Sequence, residues 1–139
     1  MGEVKIAFVA FVLAFCLAAG VEDFRCFPLN GRTAIHEDMT HLFNDPAYPP
    51  GIIAEYKGYQ LFLVHARDTA KAASLLFEHK KTLQESHYLP NMGGYFGTDA
   101  KKRPQYTFAK GSYFAGIIGL KEEAADPIAR EFAGRIPYK

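Results

Sequence analysis

A hairpin followed by a helix occurs twice in this chain, and that duplication limits the folds open to it. Ile52 to Tyr56, a Lys57-Gly58 turn, Tyr59 to Ala66 and a helix from Asp68 to Leu83 form the first unit. Tyr106 to Ala109, Lys110-Gly111, Ser112 to Leu120 and a helical stretch ending near Ile136 repeat that order. Glycine as the second turn residue supplies the left-handed backbone that tight or bulged hairpin turns require. The repeat predicts that Tyr56 pairs with Tyr59 across one turn and Ala109 with Ser112 across the other.

The helices follow from their caps and spacing. Asp68 suits an N-cap, its carboxylate accepting free N–H groups of the first turn. Ala72, Leu75, Leu76, His79 and Leu83 then fall on one stripe, with Lys71, Glu78, Lys80, Lys81 and Gln84 opposite. Asp126-Pro127 reads as a cap followed by a first-turn proline, and Ile128, Phe132 and Ile136 as the buried stripe. Lys121 to Ala125 is either a preceding turn or the start of a longer, kinked helix.

These readings predict an α+β fold: two ββα units forming a four- or five-stranded antiparallel sheet with both helices on one face. A short extra strand at Tyr95 and Phe96 would be the fifth. The central strands sharpen the expectation. Tyr59, Leu61, Leu63 and His65 alternate with Gln60, Phe62, Val64 and Ala66, and both sets are largely apolar. Tyr113, Ala115 and Ile117 alternate with Phe114, Gly116 and Ile118 in the same way. Helices on one face cover one set only, leaving the other for a partner, a second copy or the long segment 84–104. Gly116 and Gly119 within a strand suggest a bulge or the close approach of another backbone.

Three regions are expected: 1–20 as a signal peptide or membrane anchor, 21–51 as an irregular lead-in, and 52–139 as the duplicated domain. The apolar run Ile6 to Val21 would span roughly 24 Å as a helix at 1.5 Å per residue, short of the ~30 Å hydrocarbon core. With Ala18 and Gly20 at its end, it suits cleavage before Val21. A retained anchor is the alternative. Cleavage would leave Cys26 as the one cysteine, so no intramolecular disulfide framework is expected. In the lead-in, Asn30-Gly31 marks a turn. His36 to Phe43 fits two helical turns, ended by Asn44-Asp45-Pro46.

Charge and motifs narrow the chemistry. Net charge is +1, from 16 basic against 15 acidic residues. That balance gives no electrostatic reason to expect nucleic acid or an acidic membrane surface as partner. His36-Glu37-Asp38-Met39-Thr40-His41 departs from the His-Glu-x-x-His spacing that sets two imidazoles on one helix face. His36, Met39, His41 and Cys26 are the weak metal or haem candidates, and no cofactor is implied. Ser74 and Ser112 lack a Gly-x-Ser-x-Gly elbow. Gly93-Gly94-Tyr95-Phe96-Gly97 has no Gly-Lys-Ser/Thr sequel and is no phosphate loop. His65, His79 and His87 read as packed or surface histidines. No nucleophile, base or metal cage converges, so catalysis is not expected.

The aromatic residues carry the remaining signal. Tyr59, Leu61 and Tyr113 on the strands, with Tyr88, Tyr95 and Phe96 in the 84–104 segment, are the candidate protein-binding residues. The run Tyr59-Gln-Leu-Phe-Leu-Val-His-Ala-Arg-Asp-Thr-Ala-Lys-Ala-Ala, then Gly94-Tyr95, then Phe108-Ala-Lys-Gly-Ser-Tyr-Phe, resembles a family of exported bacterial domains of unknown function. There a strand–helix unit precedes a glycine-rich loop and an aromatic Lys/Arg-Gly-x-Tyr hairpin. This chain lacks the tryptophan often found before that lysine, and the resemblance implies no reaction. The expectation is an exported, non-catalytic domain, periplasmic or extracellular, that binds a protein partner or itself as an accessory subunit of a cell-envelope complex. Membrane contact would require retention of the N-terminal segment. A small-molecule, metal or haem-binding domain is the alternative, and an enzyme of unknown type the third.

Overall fold

Seven antiparallel strands in one sheet carry the chain in a computed structural model that describes residues 21–37, 43 and 45–139. In chain order the elements are α1 (Val21–Phe24), β1 (Arg32–Glu37), β2 (Ile52–Tyr56), β3 (Tyr59–His65) and α2 (Thr69–Lys80). They continue as β4 (Gln84–Leu89), β5 (Gly94–Thr98), β6 (Pro104–Lys110), β7 (Tyr113–Ile118) and α3 (Glu122–Arg135). Across the sheet the order is β1-β2-β3-β7-β6-β5-β4, so two meanders meet along β3 and β7. The fold is α+β, as its residue pattern implies, but with seven strands among the described residues rather than four or five.

The two unforeseen strands are the sheet edges. β1 reads Arg-Thr-Ala-Ile-His-Glu and β4 reads Gln-Glu-Ser-His-Tyr-Leu, with most residues exposed or half-exposed. An edge strand with little to bury needs few apolar residues, so the two-residue alternation that reveals a strand is faint. The segment 84–104 is therefore mostly hairpin rather than loop. His36 and Glu37 close β1 instead of opening a helix; residues 38–42 of that expected helix lie outside the described residues, as does the apolar run 1–20. Among the described residues no helix is long and apolar enough to cross a membrane.

The helices lie on opposite faces of the sheet, not on one. From α2, Ala72, Leu75 and Leu76 pack with Phe62, Val64, Phe114 and Ile118. From α3, Ala125, Ala129 and Phe132 pack with Leu61, Leu63, Ala115 and Ile117. Successive strand residues point to opposite faces, so these sets separate cleanly. The central register produces the split. Phe62 lies opposite Gly116 and Val64 opposite Phe114. Ala115 and Ile117, which the repeat equates with Phe62 and Val64, thus fall on the other face, since a one-residue offset inverts a strand. The second turn is also offset: Tyr56 pairs with Tyr59, but Lys110 pairs with Tyr113 rather than Ala109 with Ser112. The repeat is one of connectivity, not of packing.

Local expectations at the helices fare unequally. Asp68 caps α2, its carboxylate accepting the Lys71 N–H at 2.7 Å, and Ala72, Leu75, Leu76 and His79 are buried. Of the two readings of Lys121 to Ala125 the longer helix holds: α3 runs from Glu122 with Pro127 inside it, so Asp126 is not its cap. Asp126 acts as a side-chain anchor instead, accepting the Tyr106 hydroxyl at 2.6 Å and the Arg130 guanidinium at 2.8 Å.

Candidate functional site

Beneath α2 runs a chain of polar groups from four separate segments. The Gln105 amide donates to Asp99 Oδ2 at 2.8 Å, so Gln105 Oε1 is left to accept. It lies 2.6 Å from His79 Nε2, which must carry the ring proton. The bare Nδ1 then accepts the Tyr48 hydroxyl at 2.9 Å. Asp99 also takes the N–H groups of Lys101 and Arg103, each at 2.9 Å, and the Arg103 side chain at 2.8 Å. Burial raises its carboxyl pKa, but these donors outweigh burial and hold it below the usual aspartate value.

A cavity of about 180 Å³ opens over this chain, lined by Phe43, Tyr48, His79, Lys101 and Arg103 among others. That is smaller than the roughly 300–1,000 Å³ typical of small-molecule sites. Both nitrogens of His79 are engaged, which leaves no lone pair for a general base. The chain fastens α2 and the 99–103 turn to β6.

Burial depresses the His79 pKa below 6.5, with Gln105 and Asp99 only partly offsetting it. An unfolded His79 therefore binds its proton more readily than the folded one. The stability difference is absent above about pH 6.5 and grows as pH falls from there through the folded pKa. The thermal midpoint is expected to drop between pH 7.5 and 5, and His79→Phe, though less stable at pH 7.5, should flatten that slope. Equal slopes in the two proteins would show that His79 does not govern the transition.

Where β3 meets β7, a serine, a histidine and an aspartate come together. Ser112 Oγ lies 3.1 Å from His65 Nε2, and His65 Nδ1 lies 3.5 Å from Asp23 Oδ2. The order is that of a nucleophile, base and orienting acid, but the serine hydroxyl is committed to another acceptor. Ser112 is buried, and its hydroxyl donates to the Lys139 carbonyl, which also accepts the Ser112 N–H at 2.7 Å. Asp23 is held by the Tyr113 hydroxyl at 2.8 Å. The group ties α1 and the 136–139 segment to the sheet.

The candidate binding residues separate sharply. Leu61 and Tyr113 are buried under α3 and offer no surface to a partner. Tyr59 stacks on Tyr56 at 5.0 Å, half-buried, and Phe96 packs partly into the α3-side core. Tyr88 and Tyr95 face the other way, opposite one another on β4 and β5. Their rings meet edge-to-face at 5.7 Å, and Tyr88 is 55% exposed. Lys80 of α2 places its ammonium 5.3 Å from the Tyr95 ring and 5.7 Å from that of Phe77, itself 47% exposed. Phe77 and Lys80 lie on the polar side of the α2 stripe; Lys80 belongs there by its charge, whereas an exposed phenylalanine on that side is the signal.

Of the metal candidates, the two described ones, Cys26 and His36, lie on opposite faces of the sheet. Cys26 lies in the α3-side core, where burial and, secondarily, Asp23 push its thiol up to about 11. His36 projects from β1 on the α2 side, 3.9 Å from Glu55. Met39 and His41 lie outside the described residues. Among the described residues no three potential ligands form a metal-binding group.

The chain matches no family model, no curated protein and no solved structure.

Proposed function

We propose that this chain is an exported, non-catalytic protein-binding domain that docks its partner along the outer edge of β4 and the aromatic strip beside it. The observation that supports this reading is the Phe77–Lys80–Tyr95–Tyr88 strip at the end of the sheet, in which Phe77 and Tyr88 are exposed and Lys80 and Tyr95 half-buried. Tyrosine offers wide apolar contact with a polar tip, and an edge strand presents peptide groups to an incoming strand. The register shift between Gln84 and His87, with Glu85 at φ 52°, breaks the regular edge there. Strand addition is thus confined to His87–Leu89, and the aromatic strip supplies most of the contact. Lys80 favours a partner with acidic residues flanking the docked segment, while Lys81 is already paired with Glu78 at 3.2 Å. Both faces of β3 and β7 are covered from within, so the reading rests on this edge and not on a sheet face.

Export is part of the proposal and rests on the Ile6–Ala19 apolar run. Service as an accessory subunit of an envelope complex follows if the partner resides there. Tyr88→Lys tests the surface. Substitution at so exposed a site should leave the thermal midpoint nearly unchanged. Binding of the stoichiometric partner recovered from the native envelope should weaken tenfold or more, about 1.4 kcal/mol. A partner bound equally by both proteins, or none recovered with the unaltered chain, would reject the proposal.

A further inference from the structure

On the α3 side, away from the aromatic strip, a cavity of about 390 Å³ lies between the lead-in segment and the end of α3. That volume falls within the range of small-molecule sites. Its wall is apolar: Phe24 and Ile35 border the core, and Phe27, 2% exposed, anchors it by packing 5.2 Å from Phe132. Leu29, 75% exposed, stands at the rim with no core to fill. Tyr56 fixes this rim by donating to the Pro28 carbonyl at 2.6 Å.

Three arginines line the same cavity, Arg25, Arg32 and Arg135. Arg135 shares its guanidinium with Glu131 at 3.2 Å. Among the described residues, Arg25 and Arg32 have no carboxylate within ion-pair distance. No acidic residue lines the cavity. Guanidinium groups without carboxylate partners, beside an apolar wall, complement a ligand that is anionic at one end and hydrocarbon at the other.

We infer that this cavity binds a long-chain carboxylate, its chain along Phe24, Phe27 and Ile35 and its carboxylate between Arg25 and Arg32. The inference is independent of the partner surface, because the two lie on opposite faces of the sheet. The alternative source of the same chemistry is an anionic lipid within a membrane, and the test separates the two.

The purified protein is titrated with monomeric dodecanoate at 0.15 M salt, following displacement of the anionic dye 1-anilinonaphthalene-8-sulfonate. Saturable displacement is expected. Arg25→Gln/Arg32→Gln, which removes one exposed and one half-buried charge, should weaken it tenfold or more. Dodecyltrimethylammonium should not displace the dye. Equal displacement by that cation, unchanged affinity in the double variant, or no saturable binding would each overturn the inference. So would binding only to phosphatidylglycerol vesicles without binding of monomeric dodecanoate, an outcome that would assign the arginines to a membrane surface.

Discussion

Leu61→Asp and Phe62→Asp are each expected to leave the chain without a folded state at room temperature. These neighbours on β3 are both 0% exposed, yet they point to opposite faces, Leu61 under α3 and Phe62 under α2. A carboxylate at either place would be buried among apolar side chains with no cationic or hydrogen-bonding partner. Such burial costs several kcal/mol, and loss of the Phe62 ring adds about 3–5 kcal/mol. Domains of this size are stable by about 5–15 kcal/mol in total, so either change removes most or all of it. Far-ultraviolet circular dichroism and a thermal melt read the outcome, with Tyr88→Asp as the folded control. A folded monomer from either buried variant would mean that its face is open, and would restore an uncovered sheet face as the natural docking surface.

That expectation reverses a deduction the sequence invites. Apolar residues on both sides of Tyr59–His65 and Tyr113–Ile118 do indicate coverage on two faces. What the pattern could not supply is the cover. The repeat suggests that both helices share a side, but the side depends on whether Phe62 meets Ala115 or Gly116 across the β3–β7 pair. Both registers place apolar residues opposite apolar ones, so hydrophobic patterning does not choose between them. Periodicity is strong where one face is buried and the other wet, and weak as a guide to register where both are buried.

Legibility elsewhere followed the same physics. α2 was readable because Asp68 caps it and a single stripe is buried. The sequence leaves the start of α3 between two positions, because Pro127 sits tolerably within its first two turns and Lys121 supplies no side-chain cap. Tyr88 and Tyr95 stood out as aromatics, but their company with Phe77 and Lys80 depends on α2 lying over β5. The Tyr48–His79–Gln105–Asp99 chain joins residues that are 31 and 26 positions apart at its histidine. One clue to it was present: a histidine on a buried helix stripe needs partners for both ring nitrogens, and none of its helical neighbours offers one. The arginine-lined cavity had no linear signature, since Arg135 comes from the far end of the chain.

Gly116→Ala is expected to be the most damaging single-methyl change in the molecule's central strands. Gly116 sits in the middle of β7, between Phe62 of β3 and Thr107 of β6. A methyl at its α-carbon would lie 2.6 Å from the Tyr106 carbonyl oxygen and 2.7 Å from the Phe62 ring. The carbonyl belongs to the neighbouring strand and cannot retreat without disturbing the ladder. The ring cannot retreat either, because Phe114 and Phe43 each hold it at 5.2 Å. Forced overpacking of this kind costs about 1–3 kcal/mol where some relief exists, and more where none does. The thermal midpoint should fall by ten degrees or so, at roughly 2–8 °C per kcal/mol. Gly134→Ala in α3, with no atom within 4 Å of the added methyl, should instead be neutral or slightly stabilising. Combining Gly116→Ala with Phe62→Leu, which trades the ring for a smaller side chain, should cost less than the sum of the two single changes. Strict additivity would show that the glycine does not make room for Phe62, and that the packing of the α2-side core does not depend on that contact.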